Sequence, residues 1–273
     1  MIICGLQKMT LLDFPGKVAC TVFLGGCDFR CPWCHNYELT GALSPEQPLT
    51  PVMEEAEFLT FLDRRKGLLD GVCVTGGEPC INKELPAFLK RIRGKNYLIK
   101  LDTNGAHPAM LRQILEEGLA DYVAMDIKNS PEKYLLTAGL SRTAGLAEPA
   151  AAAAAGLAEP APAPDKPDSA PTPDRAVSLL PRIRESIALI MEKAPDYEFR
   201  TTVVEEFHNQ EDFEEIGKMI RGARRYFLQP FTDRDTVPYE GFRAPSEAAL
   251  RQYAETARKY VPETLLRGAG EAE

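Results

Sequence analysis

The sequence predicts an α/β fold, an incomplete (β/α)6 TIM-like barrel open on one side, formed as a single domain over residues 1–273. Three observations predict it. Six short apolar runs recur along the chain, amphipathic helical stretches separate them, and the least ordinary short motifs fall directly after the runs. The runs lack clean alternation, as strands buried on both faces do. Strands alternating with helices imply a parallel sheet with right-handed crossovers, and six strands fall short of the eight that close a full barrel.

The elements follow in order. "ACTVFL" (19–24) is the first strand and "GVCVT" (71–75) the second. In "ELPAFLKRIRG", Leu85, Phe88, Leu89 and Ile92 form an i, i+3, i+4, i+7 stripe, which predicts a helix with one buried face. "YLIKLD" (97–102) is the third strand. "PAMLRQILEEGLA" is the next helix, with Gly118 placed to cap it. "DYVAMD" (121–126) is the fourth strand.

From Ala144 to Ala176, 20 of 33 residues are alanine or proline, and "AGLAEPA" occurs at 144–150 and again at 155–161. Scattered prolines forbid a continuous helix or sheet, and few large side chains are present to offset the entropy of ordering. A disordered insertion at 144–176 is the expectation. "SLLPRIRESIALIMEKA" then leads to the fifth strand, "YEFRTTVV" (197–204). Phe213, Ile216 and Ile220 mark another helix, "RYFLQ" (225–229) is the sixth strand, and a helix from about Ser246 to Val261 closes the chain.

Composition excludes some functions. The formal net charge is −8 with no block of basic residues, which argues against nucleic acid as a partner. The start of the chain has no leader pattern and no membrane-length apolar run follows, so no membrane association and a cytoplasmic location are expected.

The chemistry-bearing motifs sit where parallel α/β folds build active sites, after the carboxyl ends of strands. "GGCDFRCPWCHN" (25–36) follows the first strand and carries Cys27, Cys31 and Cys34. "GGEP" (76–79) follows the second, "TNG" (103–105) the third, Lys128 of "DIK" the fourth and "EEFHN" (205–209) the fifth. The chain has seven cysteines. Cys4, Cys20 and Cys73 lie in apolar surroundings and read as small buried hydrophobes; Cys80 reads as an incidental thiol. A structural zinc site takes four ligands, usually as two separated pairs. Iron–sulfur cubanes normally take four thiolates. Three thiolates would leave one iron open, which suits catalysis, although a zinc knuckle or a ferredoxin-type carrier uses similar clusters.

The C-x-x-x-C-x-x-C spacing with Trp33 before the third cysteine, followed by "GGEP", "TNG" and "DIK", resembles the radical S-adenosylmethionine (radical SAM) superfamily from about residue 5 to 231. That resemblance implies a 4Fe–4S cluster on Cys27, Cys31 and Cys34, with its fourth iron chelated by S-adenosylmethionine. It implies reductive cleavage of that ligand and abstraction of a hydrogen atom. It places Trp33 and His35 in the cofactor-binding loop, and Gly76, Gly77, Glu78 and Pro79 at the methionine amino group. Asn104 and Lys128 would meet the methionine carboxylate and ribose, Val203 the adenine and His208 the ribose. A cation near the sulfonium could be held by Asp102 and Asp126, which could equally cap the following helices.

Within that superfamily, "LLDFPGKVACTVFLGGCDFRCPWCHN", "FRTTVV", "HNQEDFEEIGKMI" and "YFLQPF" look like the anaerobic ribonucleoside-triphosphate reductase activating proteins. The implied partners are a large glycyl-radical enzyme, here anaerobic ribonucleoside-triphosphate reductase, and a flavodoxin or ferredoxin electron donor. Pyruvate formate-lyase activases and other glycyl-radical activases share the chemistry with a different partner. A small-molecule enzyme such as a deazaguanine synthase, or a non-catalytic iron–sulfur electron carrier, are the remaining alternatives.

Overall fold

The computed structural model describes residues 1–41, 49–141 and 173–268. Residues 144–172 of the expected insertion therefore lie outside the described residues. Its last four, 173–176, are the start of a helix, with Pro173 at the first helical position where a missing N–H costs nothing.

The fold is α/β with eight strands that follow chain order in a mostly parallel, open sheet. The strands are β1 (Ile3–Thr10), β2 (Ala19–Leu24), β3 (Gly71–Gly76), β4 (Leu98–Thr103), β5 (Tyr122–Asp126), β6 (Tyr197–Val203), β7 (Tyr226–Pro230) and β8 (Thr264–Leu266). The helices are α1 (Glu55–Asp63), α2 (Leu85–Arg93), α3 (Pro108–Glu116), α4 (Tyr134–Thr137), α5 (Pro173–Lys193), α6 (Gln210–Met219) and α7 (Glu247–Arg258). All six expected strands are present as β2–β7. Two further strands, β1 and β8, were not expected. Among the described residues no helix is long and apolar enough to cross a membrane.

The chain groups into two compact units, Met1–Asp28 with Asn36–Met125 and Glu185–Tyr197, and Phe29–His35 with Asp126–Arg184 and Glu198–Glu273. In the first, β1 runs antiparallel to β2, and β2, β3, β4 and β5 are parallel neighbours. The register pairs Leu24 with Gly76 and Thr103 with Met125, so the segments after β2, β3 and β4 leave the same edge of the sheet. The α2 stripe is wholly buried, and Phe88 meets Phe58 of α1 at 5.6 Å between ring centroids. Each such side chain contributes about 1.5–3 kcal/mol by leaving water. A capping box between Glu54 and Glu57 starts α1.

In the second unit β6, β7 and β8 are parallel, with Val203 paired to Pro230 and Leu228 to Leu266. Phe213 of α6 stacks on Tyr253 of α7 at 4.6 Å, and α6 opens with a capping box between Asn209 and Asp212. Ser246 caps α7 by accepting from the Ala249 N–H at 3.2 Å. The carboxylate of Glu198, fully buried on β6, is met by both guanidinium ends of Arg267 at 2.8 Å.

Candidate active site

The first unit holds Cys27 and the "GGEP" turn, and brings them together. Gly76 has φ 125, and a Cβ there would lie 2.2 Å from the Leu24 carbonyl oxygen. One on Gly77 would lie 2.0 Å from the Gly26 carbonyl oxygen and 3.2 Å from the Cys27 Cβ. The two glycines are thus required by the close approach of the end of β2 and the start of the cysteine loop, whether or not a ligand also needs them. Backbone bonds fix the crossing: Gly77 N–H donates to Leu24 at 2.9 Å and Glu78 N–H to Gly26 at 2.8 Å. The Asn36 side-chain amide closes it by donating to the Gly76 carbonyl at 3.2 Å.

Glu78 is buried, and its carboxylate accepts three hydrogen bonds. Cys80 N–H (2.9 Å) and the Thr103 hydroxyl (2.8 Å) reach Oε1, and Asn104 N–H (2.6 Å) reaches Oε2. Burial, with the nearby Asp28 carboxylate, outweighs these donors and pushes the Glu78 carboxyl above its ordinary pKa. Besides the role expected of it at a methionine amino group, Glu78 ties the end of β3 to the end of β4. Pro79, also buried, opens a short 3-10 turn over Pro79–Ile81. Cys80 is buried, and desolvation raises its thiol well above the ordinary thiol range, which disfavours the reactive thiolate.

Asn104 is fixed at every arm. Its Oδ1 accepts from Ala106 N–H at 2.9 Å and its Nδ2 donates to Asp28 Oδ1 at 3.0 Å. The other oxygen of Asp28 accepts from His107 Nε2 at 2.9 Å. Burial works against the Asp28 charge, but His107 and Asn104 together hold its carboxyl below the usual range. Asp28 and His107 were not expected here. Asp28 adjoins Cys27, but nothing in the sequence pairs it with residues 76 and 79 positions further on.

The second unit holds Cys31 and Cys34. Cys31 is buried and Cys34 half-buried; none of the seven cysteines is in a disulfide. Burial pushes the Cys31 thiol up to about 12 against the pull of the Lys128 ammonium. Trp33 is buried among Phe207 (4.4 Å between centroids), Phe242 (6.0 Å) and His208 (6.0 Å). His35 stacks on Phe231 at 5.5 Å and donates from Nε2 to the Thr232 carbonyl at 2.6 Å.

Lys128 donates to Asp126 Oδ2 at 2.9 Å, while Arg200 Nε takes Asp126 Oδ1 at 2.5 Å. Burial opposes the Lys128 charge, but Asp126 and Cys31 outweigh it and hold the ammonium above its ordinary pKa. Asp126 is held well below the carboxylate range, burial being outweighed by Arg200 and Lys128. The expected cation at Asp102 and Asp126 finds both carboxylates met by protein cations, because Lys100 pairs with Asp102 as Lys128 and Arg200 pair with Asp126. Neither aspartate caps a helix. Among the described residues, no three His, Cys, Asp or Glu side chains are grouped to hold one metal ion.

His208 is buried and needs a corrected role. Its Nε2 donates to the Lys128 carbonyl at 3.0 Å and its Nδ1 accepts from Val204 N–H at 3.2 Å. Both nitrogens are spent on backbone, so His208 shapes the loop after β5 rather than offering a nitrogen to a ribose. Asp212 anchors that loop by accepting from Ser130 Oγ and Lys133 Nζ, each at 2.7 Å. Val203 is fully buried, and its carbonyl accepts from Phe231 N–H at 2.9 Å, so its side chain belongs to the core.

The model of the Radical SAM superfamily matches residues 21–147, a span that includes the cysteine loop, "GGEP", Asn104 and Lys128. Over those residues the chain matches the radical SAM superfamily. Over 269 residues it is 24% identical to a protein of Methanocaldococcus jannaschii, provisionally described as a glycyl-radical enzyme activating enzyme, covering 97% of this chain and 95% of that one. Two activating enzymes match in part. The pyruvate formate-lyase-activating enzyme of Clostridium pasteurianum is 32% identical over 131 residues, 46% of this chain and 51% of that one. The anaerobic ribonucleoside-triphosphate reductase-activating protein of Escherichia coli K12 is 30% identical over 83 residues, 30% of this chain and 52% of that one. The match thus spans about half the length of these two. The fold is shared with Streptococcus suis SuiB, solved with S-adenosylmethionine, at a TM-score of 0.54 and 12% identity over 91% of this chain and 52% of that one. The family implies a 4Fe–4S cluster and S-adenosylmethionine in a radical SAM enzyme.

The chemistry of the donor set fits that group. Three cysteines outside any disulfide supply soft thiolate donors. Lys128 places a half-buried positive charge where it bears on Cys31 and Cys34, which favours their deprotonated, ligating form.

Proposed function

We propose that this chain is a glycyl-radical activase whose target is an anaerobic ribonucleoside-triphosphate reductase. The observation that carries the reading is the joined loop in which Cys27 lies against Gly77 and the "GGEP" turn is pinned to Asn104. Cys27, Cys31 and Cys34 would hold the 4Fe–4S cluster. Bound there, the cluster supplies one-electron reductive cleavage of S-adenosylmethionine and, through it, removal of a glycine Cα hydrogen from the partner protein.

The chain's own residues bind and orient. The Gly76–Gly77 backbone and the remaining capacity of the Glu78 carboxylate would receive the methionine amino group. Asn104, locked by Asp28 and Ala106, would have only the second N–H of its side-chain amide to offer the ligand. Lys128, held charged by Asp126, sets a positive field at the thiolates and would meet the methionine carboxylate. Trp33 and His35 brace the cysteine loop. Glycine is a fitting target because it alone lacks a side chain shielding Cα. A flavodoxin or ferredoxin would supply the electron.

The long match to the M. jannaschii protein supports an activase. The partial match to the E. coli protein, with "LLDFPGK" and "CHN" around the cysteines, favours the reductase as partner. Pyruvate formate-lyase is the second reading, favoured by the Clostridium match. The test mixes anaerobically reconstituted protein with S-adenosylmethionine, a reductant and each candidate partner. A glycyl doublet in the electron paramagnetic resonance spectrum, with matching 5′-deoxyadenosine, is expected with the reductase. A doublet with pyruvate formate-lyase alone would reassign the partner.

A further inference from the structure

The proposed chemistry makes no use of the segment from Phe231 to Arg243, yet that segment is fastened at both ends. Phe231 N–H donates to Val203 at 2.9 Å. At the far end, Arg243 gives its backbone N–H and its Nε to the two oxygens of Glu206, each at 3.0 Å, and its carbonyl accepts from Glu205 N–H at 2.9 Å. Between these anchors, residues 232–236 are exposed, while Val237 and Tyr239 pack against a buried cluster of Trp33, Leu136, Val204, Phe207, Phe231 and Phe242.

The strap grips the stretch from Cys31 to His35 at three points. The Thr232 carbonyl accepts from His35, the Phe231 ring lies 5° from parallel with the His35 ring, and Phe242 meets Trp33 edge to face at 76°. Phe207 fills the space behind, 4.4 Å from Trp33 and 5.7 Å from Phe242. The gripped stretch contains no helix or strand. Backbone ladders therefore do not hold it, and fixing it costs conformational entropy that side-chain packing has to offset.

We propose that residues 231–243 form an aromatic clasp that sets the Cys31–His35 loop in its cluster-binding conformation, with Phe231 and Phe242 as positioning residues. This rests on the reading that Cys31 and Cys34 hold the cluster. A site held by locked rotamers keeps its ligand geometry before the metal arrives. Two of the thiolates sit on either side of Trp33, so loosening that ring frees both.

Trp33 is the chain's one tryptophan, so its emission reports on the clasp in the cluster-free protein. In Phe242→Ala the emission should shift to the red and the acrylamide quenching constant should rise. Phe242→Leu, which keeps most of the apolar volume, should restore most of the protection. Glu206→Gln, which cuts the far anchor without touching a ring, should loosen Trp33 in the same direction. It serves as the test if Phe242→Ala does not fold. In reconstituted protein, chelator-driven loss of the cluster should be roughly tenfold faster in Phe242→Ala, the equilibrium equivalent of about one lost aromatic pair. Quenching and chelator loss at wild-type rates in folded Phe242→Ala or Glu206→Gln would overturn the clasp. The cluster reading fails separately, if Cys31→Ala still assembles a 4Fe–4S centre.

Discussion

Glu78 and Asn104 are joined by a 2.6 Å hydrogen bond from the Asn104 backbone N–H to a buried carboxylate oxygen. That bond carries the alignment of the β3 and β4 ends, so Glu78 acts on stability before it acts on any ligand. Glu78→Gln turns one acceptor into a donor facing an N–H. A loss of about 1–3 kcal/mol in folding stability is expected, read from urea denaturation of the cluster-free protein. Unchanged stability would show that the three bonds to Glu78 are dispensable.

The cysteines should separate cleanly by position. Cys27→Ala, Cys31→Ala and Cys34→Ala should each lose the iron–sulfur absorbance after anaerobic reconstitution. Cys80→Ala, a change at a buried thiol, should keep it. Iron analysis of the four variants decides the matter, and loss of the centre in Cys80→Ala would reopen the ligand assignment.

Asp126 balances Lys128 and Arg200. Asp126→Ala would leave two partly buried cations facing each other, at a cost of about 2 kcal/mol. Asp126→Asn should recover part of that by hydrogen bonding alone. Thermal melts at two salt concentrations check this, since added salt should narrow the gap between wild type and Asp126→Ala.

His208 gives the fold an acid sensitivity. Burial holds its pKa below the ordinary 6.5, with hydrogen bonds to Lys128 and Val204 and the charge of Asp212 working the other way. The unfolded chain therefore binds more protons between the two pKa values. Stability from neutral His208 is present above about pH 6.5 and lost as pH falls toward the folded value, by at most about 1.4 kcal/mol per pH unit. Urea midpoints at several pH values should slope downward on acidification, and His208→Gln should flatten the slope. Equal slopes would remove His208 as the cause.

The interior of the fold was legible because its signals are local. Leu85, Phe88, Leu89 and Ile92 declare one face of α2, and the buried strands declare themselves by unbroken apolar runs. What escaped is peripheral. β1 lies at the sheet edge with a mostly open face and two register shifts, so "ICGLQKMT" shows no alternation. β8 has three residues, too few for a pattern. α1 carries its signal in Glu54, Glu57, Phe58 and Leu62, a capping box followed by two buried positions one turn apart. At the site, the cysteine spacing and "GGEP" could be read from the chain, whereas the roles of Glu78 and His208 depend on hydrogen-bond partners fixed only by folding. The meeting of Asp28 with His107 is of the same kind.

The crowding of Gly76 and Gly77 against Leu24 and Gly26 changes what a glycine pair at this place signifies. A side chain at either position would collide with backbone atoms, which cannot swing aside, so the pair would be demanded even of a chain that had lost its ligand chemistry. In a survey of distant sequences, two glycines after the second parallel strand would therefore diagnose the crossing of the two loops. The evidence for a working enzyme would have to come from the thiols.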